Sequence, residues 1–208
     1  MKGSLIIVGA FLAGCLAGRM GLLPDRIDIG DITLWVLYAL MFQVGMGIGS
    51  DKRLKEILRT LSPRMLLIPA ATVVGTLAAS AAISFALSHR TTAETLAVGS
   101  GFGYYSLSSI LITSLKEASI GVQAAAELGT IALLANIFRG IITLLAAPLM
   151  VRGFGPLAPI CSGGATSMDT TLPVITRFSG REWVFVSIVH GMAVDFSVPF
   201  LVPFFCSL

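Results

Sequence analysis

The chain has 208 residues, 55% of them hydrophobic and 12% charged, with a net charge of +3. Soluble domains carry about 25% charged residues, so this composition excludes a soluble enzyme or a nucleic-acid-binding module and leaves an all-α polytopic membrane protein. At roughly 20 apolar residues per span, five to seven transmembrane helices fit, and residues 1–208 are expected to form a single transmembrane domain.

The first span covers about residues 4–23 and ends at Pro24-Asp25-Arg26. The second covers about 32–48 and closes on Gly45, Gly47 and Gly49. A loop over 51–64 then carries Lys52, Arg53, Lys55, Arg59 and Arg64. Basic residues concentrate in short cytoplasmic loops, which places this loop and the N-terminus inside. Leu54, Ile57, Leu58 and Leu61 share one helical face, as in a segment lying along a membrane surface. The core then runs from 65 to 208. The third span is 65–87, and it puts His89-Arg90 outside.

Residues 91–115 contain the first anomaly, SGFGYYSLSS over 100–109. Residues 124–150 are a long apolar stretch holding Asn136, Arg139 and Gly140, with Arg152 after it. The second anomaly, GGATSMDTTLP, covers 163–173, followed by Arg177 and Arg181 and a last span over 183–205. Two topologies fit. Both interrupted segments, near 97–112 and 158–176, are re-entrant hairpins entering from opposite faces among five spans, or both cross fully among seven. Each topology puts the C-terminus outside, and the hairpin form keeps Arg152, Arg177 and Arg181 in the cytoplasm.

Hydrocarbon cannot hydrogen-bond exposed peptide groups, so broken backbone at membrane depth survives only where protein covers it or where it lines a cavity. In the first break, Ser100, Gly101 and Gly103 precede Tyr104, Tyr105, Ser106 and Ser108. Glycine lets the chain leave helical geometry, and hydroxyls beside freed backbone can hold a cation or a carboxylate. The competing reading is tight helix packing with serines bonded back to their own helix.

In the second break, Gly163 and Gly164 precede Thr166, Ser167, Asp169 and Thr170. An acid in such surroundings costs on the order of 3 kcal/mol, so Asp169 should face a cavity and suits an ammonium, Na⁺ or a proton. A surface loop is the alternative. Arg139, with Asn136 one turn earlier, should face the interior and pair with Asp169, Asp195 or a substrate carboxylate, the competing reading being a purely structural buried pair. In the last span, His190 suits a proton relay or a hydrogen-bonded packing role, and Asp195 is anomalous in mid-helix. Ser167 or Ser106 with His190 would suggest an intramembrane serine hydrolase, but no nucleophile elbow, HExxH or P-loop accompanies them. The scattered Cys15, Cys161 and Cys206 suggest neither disulfide nor metal site.

GSGFGYYSLSSILIT, GGATSMDTTLPVITR and IVHGMAVDFSVP closely resemble the LysO-type lysine exporters, bacterial inner-membrane proteins. The resemblance is best over residues 97–203. It implies outward movement of L-lysine, and of analogues such as thialysine, with coupling to H⁺ or Na⁺ and no other cofactor. Longer family members carry about three further helices ahead of the matched region. A small membrane subunit supplying them, or a homo-oligomer, is therefore expected, with lipid as the surrounding partner. The family helix matching 124–150 often has acids near the positions of Asn136 and Gly140, which puts a proton-carrying role for this helix in doubt.

Overall fold

The structure, a computed structural model, describes residues 63–87 and 89–208, together with Leu16, Met20, Trp35, Ala39, Phe42 and Met46. The chain divides into two compact units, Met1–Val36 and Leu37–Leu208. In the first, the Met20 N–H donates to the Leu16 carbonyl at 2.9 Å. Residues 51–62 of the basic loop and nearly all of the first two expected spans lie outside the described residues, as does Cys15, while Arg64 falls in the first described helix.

Among the described residues all regular structure is helical. The order is α1 (Pro63–Ser84), α2 (Thr92–Gly99), α3 (Tyr105–Ile120), α4 (Val122–Phe154), α5 (Ala158–Gly163), a 3₁₀ turn (Gly164–Met168), α6 (Leu172–Ser179), a second 3₁₀ turn (Arg181–Trp183) and α7 (Val184–Cys206). Three described stretches are long and apolar enough to cross a bilayer: Met65–Ser84, Val122–Phe154 and Arg181–Cys206. They coincide with the stretches expected from hydropathy, and the chain is an all-α membrane protein.

Helices in lipid gain little from burying apolar surface against each other, so they associate through close packing of small residues and through polar contacts. The α4 face buried in the bundle follows that rule, with Ala125, Gly129, Ala132 and Asn136 recurring every three or four residues. α7 shows the complementary pattern. Ser187, His190, Gly191, Val194, Asp195, Val198 and Val202 are buried, while Phe196, Phe200 and Phe204 form an exposed stripe at four-residue spacing. Phe102, Leu107, Leu111, Ile112, Leu128, Val194, Val198 and Val202 make the core that joins α3, α4 and α7.

The two anomalous segments are both interrupted helices. α2 starts at a capping box, with the Thr91 hydroxyl accepting from the Glu94 N–H at 3.2 Å and the Glu94 carboxylate accepting from the Thr91 N–H at 3.0 Å. It stops at Gly99, and the chain resumes as α3 at Tyr105. Arg90 pairs with Glu127 at 2.8 Å, which ties the start of α2 to the first turns of α4. α3 finishes at Ile120, immediately before α4 begins. The α2–α3 pair thus starts and finishes at the same end of α4. The second pair stops at Gly163, passes through the 3₁₀ turn and resumes as α6 at Leu172.

Candidate functional site

The two interruptions meet. The Ala165 N–H donates to the Phe102 carbonyl at 2.8 Å, one backbone bond between segments some sixty residues apart. Phe102 is fully buried and held at φ 46°, a left-handed backbone angle uncommon outside glycine. Facing it, Gly164 has φ +61°, and a Cβ there would lie 2.0 Å from the Phe102 oxygen. Only a residue without a side chain allows the backbones to approach this closely. The 3₁₀ turn is then pressed onto α7 at Gly191, where a Cβ would come 2.6 Å from that of Met168.

Three of the polar side chains expected at the site, Asn136, Arg139 and His190, brace this crossing. Asn136 accepts from the Gly103 N–H at 2.7 Å and donates to the Ser108 hydroxyl at 3.2 Å and the Ala132 carbonyl at 2.8 Å. Its amide thereby replaces the helical bonding lost in the first break. Arg139 pairs with neither Asp169 nor Asp195. Its guanidinium donates to the carbonyls of Ser162 at 2.8 Å and Cys161 at 3.0 Å, and to the Thr76 hydroxyl at 3.4 Å. The last carbonyls of a helix lack intrahelical partners and carry partial negative charge, so a cation at the end of α5 is satisfied where it stands. His190 is 1% exposed. Its Nδ1 is 3.0 Å from the Ser167 hydroxyl and its Nε2 is 2.9 Å from the Thr72 hydroxyl, so the ring links α1 to the second break.

The Ser167–His190 pair that a hydrolase would need is therefore present, but as packing. Ser167 is fully buried and donates to the Ser187 carbonyl at 3.0 Å, and the Ser187 hydroxyl returns a bond to the Ser167 carbonyl at 2.7 Å. Neither Ser167 nor His190 lines the pocket at the crossing. Ser100 donates to the Ala97 carbonyl at 2.8 Å, and Ser108 to that of Tyr105 at 3.3 Å. With buried Gly101, Gly163 and Gly164, these residues form the crossing's framework.

The rest of the expected set converges on one cavity of about 170 Å³ beside the crossing. Gly103, Tyr104, Tyr105 and Ser106 line it from the first break, Thr166, Asp169 and Thr170 from the second, and Asp195 from α7. Asp169 and Thr170 are exposed at its mouth, and the Asp169 carboxylate accepts from the Thr170 N–H. Asp195 is buried within it. α3 begins there with no side-chain cap, so its first N–H groups carry the partial positive charge of a helix start into the same space. The pocket combines two carboxylates with backbone donors, an arrangement able to take an ammonium and a carboxylate at once. No group of three or more His, Cys, Asp or Glu side chains gathers to hold a metal among the described residues.

Residue pattern alone missed Thr72, Thr76 and Ser187, which anchor His190, Arg139 and Ser167. Lone hydroxyls in apolar helices carry no signal for what they will meet.

A pocket between two interrupted helices, inside a bundle of apolar spans, defines an α-helical membrane protein built around a polar site. The chain belongs to the family described as "Lysine exporter LysO", whose model matches residues 8–206. It is 34% identical over 206 residues to "Lysine exporter LysO" of Escherichia coli K12, covering 97% of this chain and 64% of that protein. It is also 34% identical over 175 residues to the "Putative lysine exporter" of Haemophilus influenzae, covering 84% of each. The chain thus spans less than two thirds of the length of the Escherichia coli relative. No solved structure matches it.

Proposed function

We propose that this protein exports L-lysine across the bacterial inner membrane by alternating access, driven by an H⁺ or Na⁺ gradient. The observation that carries the reading is the shared pocket: Asp169 and the Tyr104–Ser106 stretch line the same cavity where the two breaks cross. Asp169 binds the α-ammonium group. The uncapped start of α3 binds the carboxylate, as helix N-termini bind anions generally. The names borne by the two relatives support lysine as the solute.

Re-entrant hairpins from opposite faces are the topology this reading uses. Support comes from the Arg90–Glu127 pair, which returns α2–α3 to the face it left. With two preceding spans, this arrangement puts the N-terminus in the cytoplasm and the C-terminus outside. Broken helices meeting near the midplane are a recurrent solution in secondary transporters, because they expose backbone groups where solute must bind.

The test is lysine efflux from proteoliposomes holding the purified protein, with and without a pH or Na⁺ gradient. Asp169→Asn should abolish efflux while leaving the thermal midpoint in detergent unchanged. Efflux at the wild-type rate from Asp169→Asn would refute the site.

A further inference from the structure

The two acids of the pocket stand in unlike settings. Asp169 is exposed at the mouth. Asp195 is 5% exposed, and its side lining the cavity is its route to solvent. Among the described residues no group donates a hydrogen bond to its carboxylate, and no Lys, Arg or His lines the cavity. Two arginines of the bundle are engaged elsewhere, Arg139 by the carbonyls that end α5 and Arg90 by Glu127. A buried carboxylate is costly unless it is paired. A pocket that keeps one unpaired is built for a ligand that brings the missing charge.

One acid and a helix start are enough to hold the α-amino and α-carboxyl groups that every amino acid carries. The second acid needs a second cation. We propose that Asp195 is the specificity-determining residue that reads the terminal ammonium, confining the pocket to diamino acids with an aliphatic chain between the two charges. This rests on the lysine reading and extends it. An ammonium offers three donors to the carboxylate. The same chain ending in a methyl group leaves Asp195 buried and unpaired, and sites built around a polar partner reject analogues lacking it far more strongly than apolar pockets reject a missing methylene.

Norleucine, which keeps the lysine chain length without the terminal ammonium, is the discriminating probe. Equilibrium binding of lysine and norleucine is measured on the purified protein and on Asp195→Asn, an isosteric change. The wild type should prefer lysine by about 100-fold or more. In Asp195→Asn, lysine affinity should fall roughly 10- to 100-fold while norleucine holds or improves, so that the preference collapses. Retained norleucine binding certifies that the pocket is folded; should the asparagine variant not fold, Asp195→Ser is put through the same comparison. Equal losses for both ligands, or an unchanged lysine-to-norleucine ratio, would overturn the assignment. Absence of lysine binding by the wild type would instead remove the lysine reading, and the role of Asp195 with it.

Discussion

Replacing Gly164 by alanine tests the crossing at its tightest point. The new methyl carbon would lie 2.0 Å from the Phe102 oxygen and 3.0 Å from its carbonyl carbon, well inside van der Waals contact. The backbone at Gly164, φ 61° and ψ −130°, is territory that side chains avoid, and holding alanine there costs about 1–3 kcal/mol. Relieving the clash requires the two breaks to part, which removes the 2.8 Å bond from the Ala165 N–H to Phe102. Leaving that buried donor unpaired costs about 1–3 kcal/mol more. The sum, roughly 2–6 kcal/mol, is a large part of the 5–15 kcal/mol by which folded domains typically stand above their unfolded states. Gly140→Ala is the control. That residue lies within α4, and apart from its own chain neighbours and helical backbone no described atom comes within 4 Å of its would-be Cβ. Alanine there should raise stability by about 0.5–1 kcal/mol, the usual helical difference. Thermal unfolding midpoints in detergent should therefore move in opposite directions for the two substitutions, and lysine counterflow in vesicles should fall for Gly164→Ala and hold for Gly140→Ala. A Gly164→Ala midpoint equal to or above that of Gly140→Ala would refute the crossing as described.

Asn136→Ala removes the acceptor of the Gly103 N–H and should cost about 1–3 kcal/mol, read as a lowered unfolding midpoint with lysine Kd nearly unchanged in the folded fraction. Arg139→Lys keeps the charge but cannot reproduce the fork that reaches two successive carbonyls; the midpoint should fall while the preference for lysine over its des-carboxy analogue cadaverine stays as in the wild type. A selective loss of that preference would instead mean that Arg139 binds the substrate carboxylate. Glu127→Gln breaks an ion pair whose glutamate is 65% exposed, so stability should change by less than about 1 kcal/mol, as thermal unfolding will register.

The helical membrane class and the two breaks were legible in the residues because their causes are local. Apolar runs of spanning length report bilayer thickness, and glycine-and-hydroxyl clusters inside such runs mark places where a helix cannot continue. Asp169 stood out for the same reason, as an acid among hydroxyls inside an apolar stretch. The expected breaks, 97–112 and 158–176, narrow in the structure to the linkers between Gly99 and Tyr105 and between Gly163 and Leu172. Arg139 was equally conspicuous, yet neither Asp169 nor Asp195 is its partner, and carbonyl oxygens hold it. The end of α5 supplies a negative charge that no residue letter displays, because it belongs to unpaired carbonyls.

What the amino-acid sequence by itself determined was where chain polarity and backbone geometry depart from a plain lipid-facing helix. What only the tertiary structure decided was which departures face one another. Asn136 finds Gly103 across 33 residues, and His190 finds Thr72 across 118. Within α7, His190 and Asp195 diverge, His190 into the framework and Asp195 into the pocket. Composition and periodicity are properties of neighbours along the chain, whereas a buried polar group takes whichever partner the packing of remote segments brings within about 3 Å.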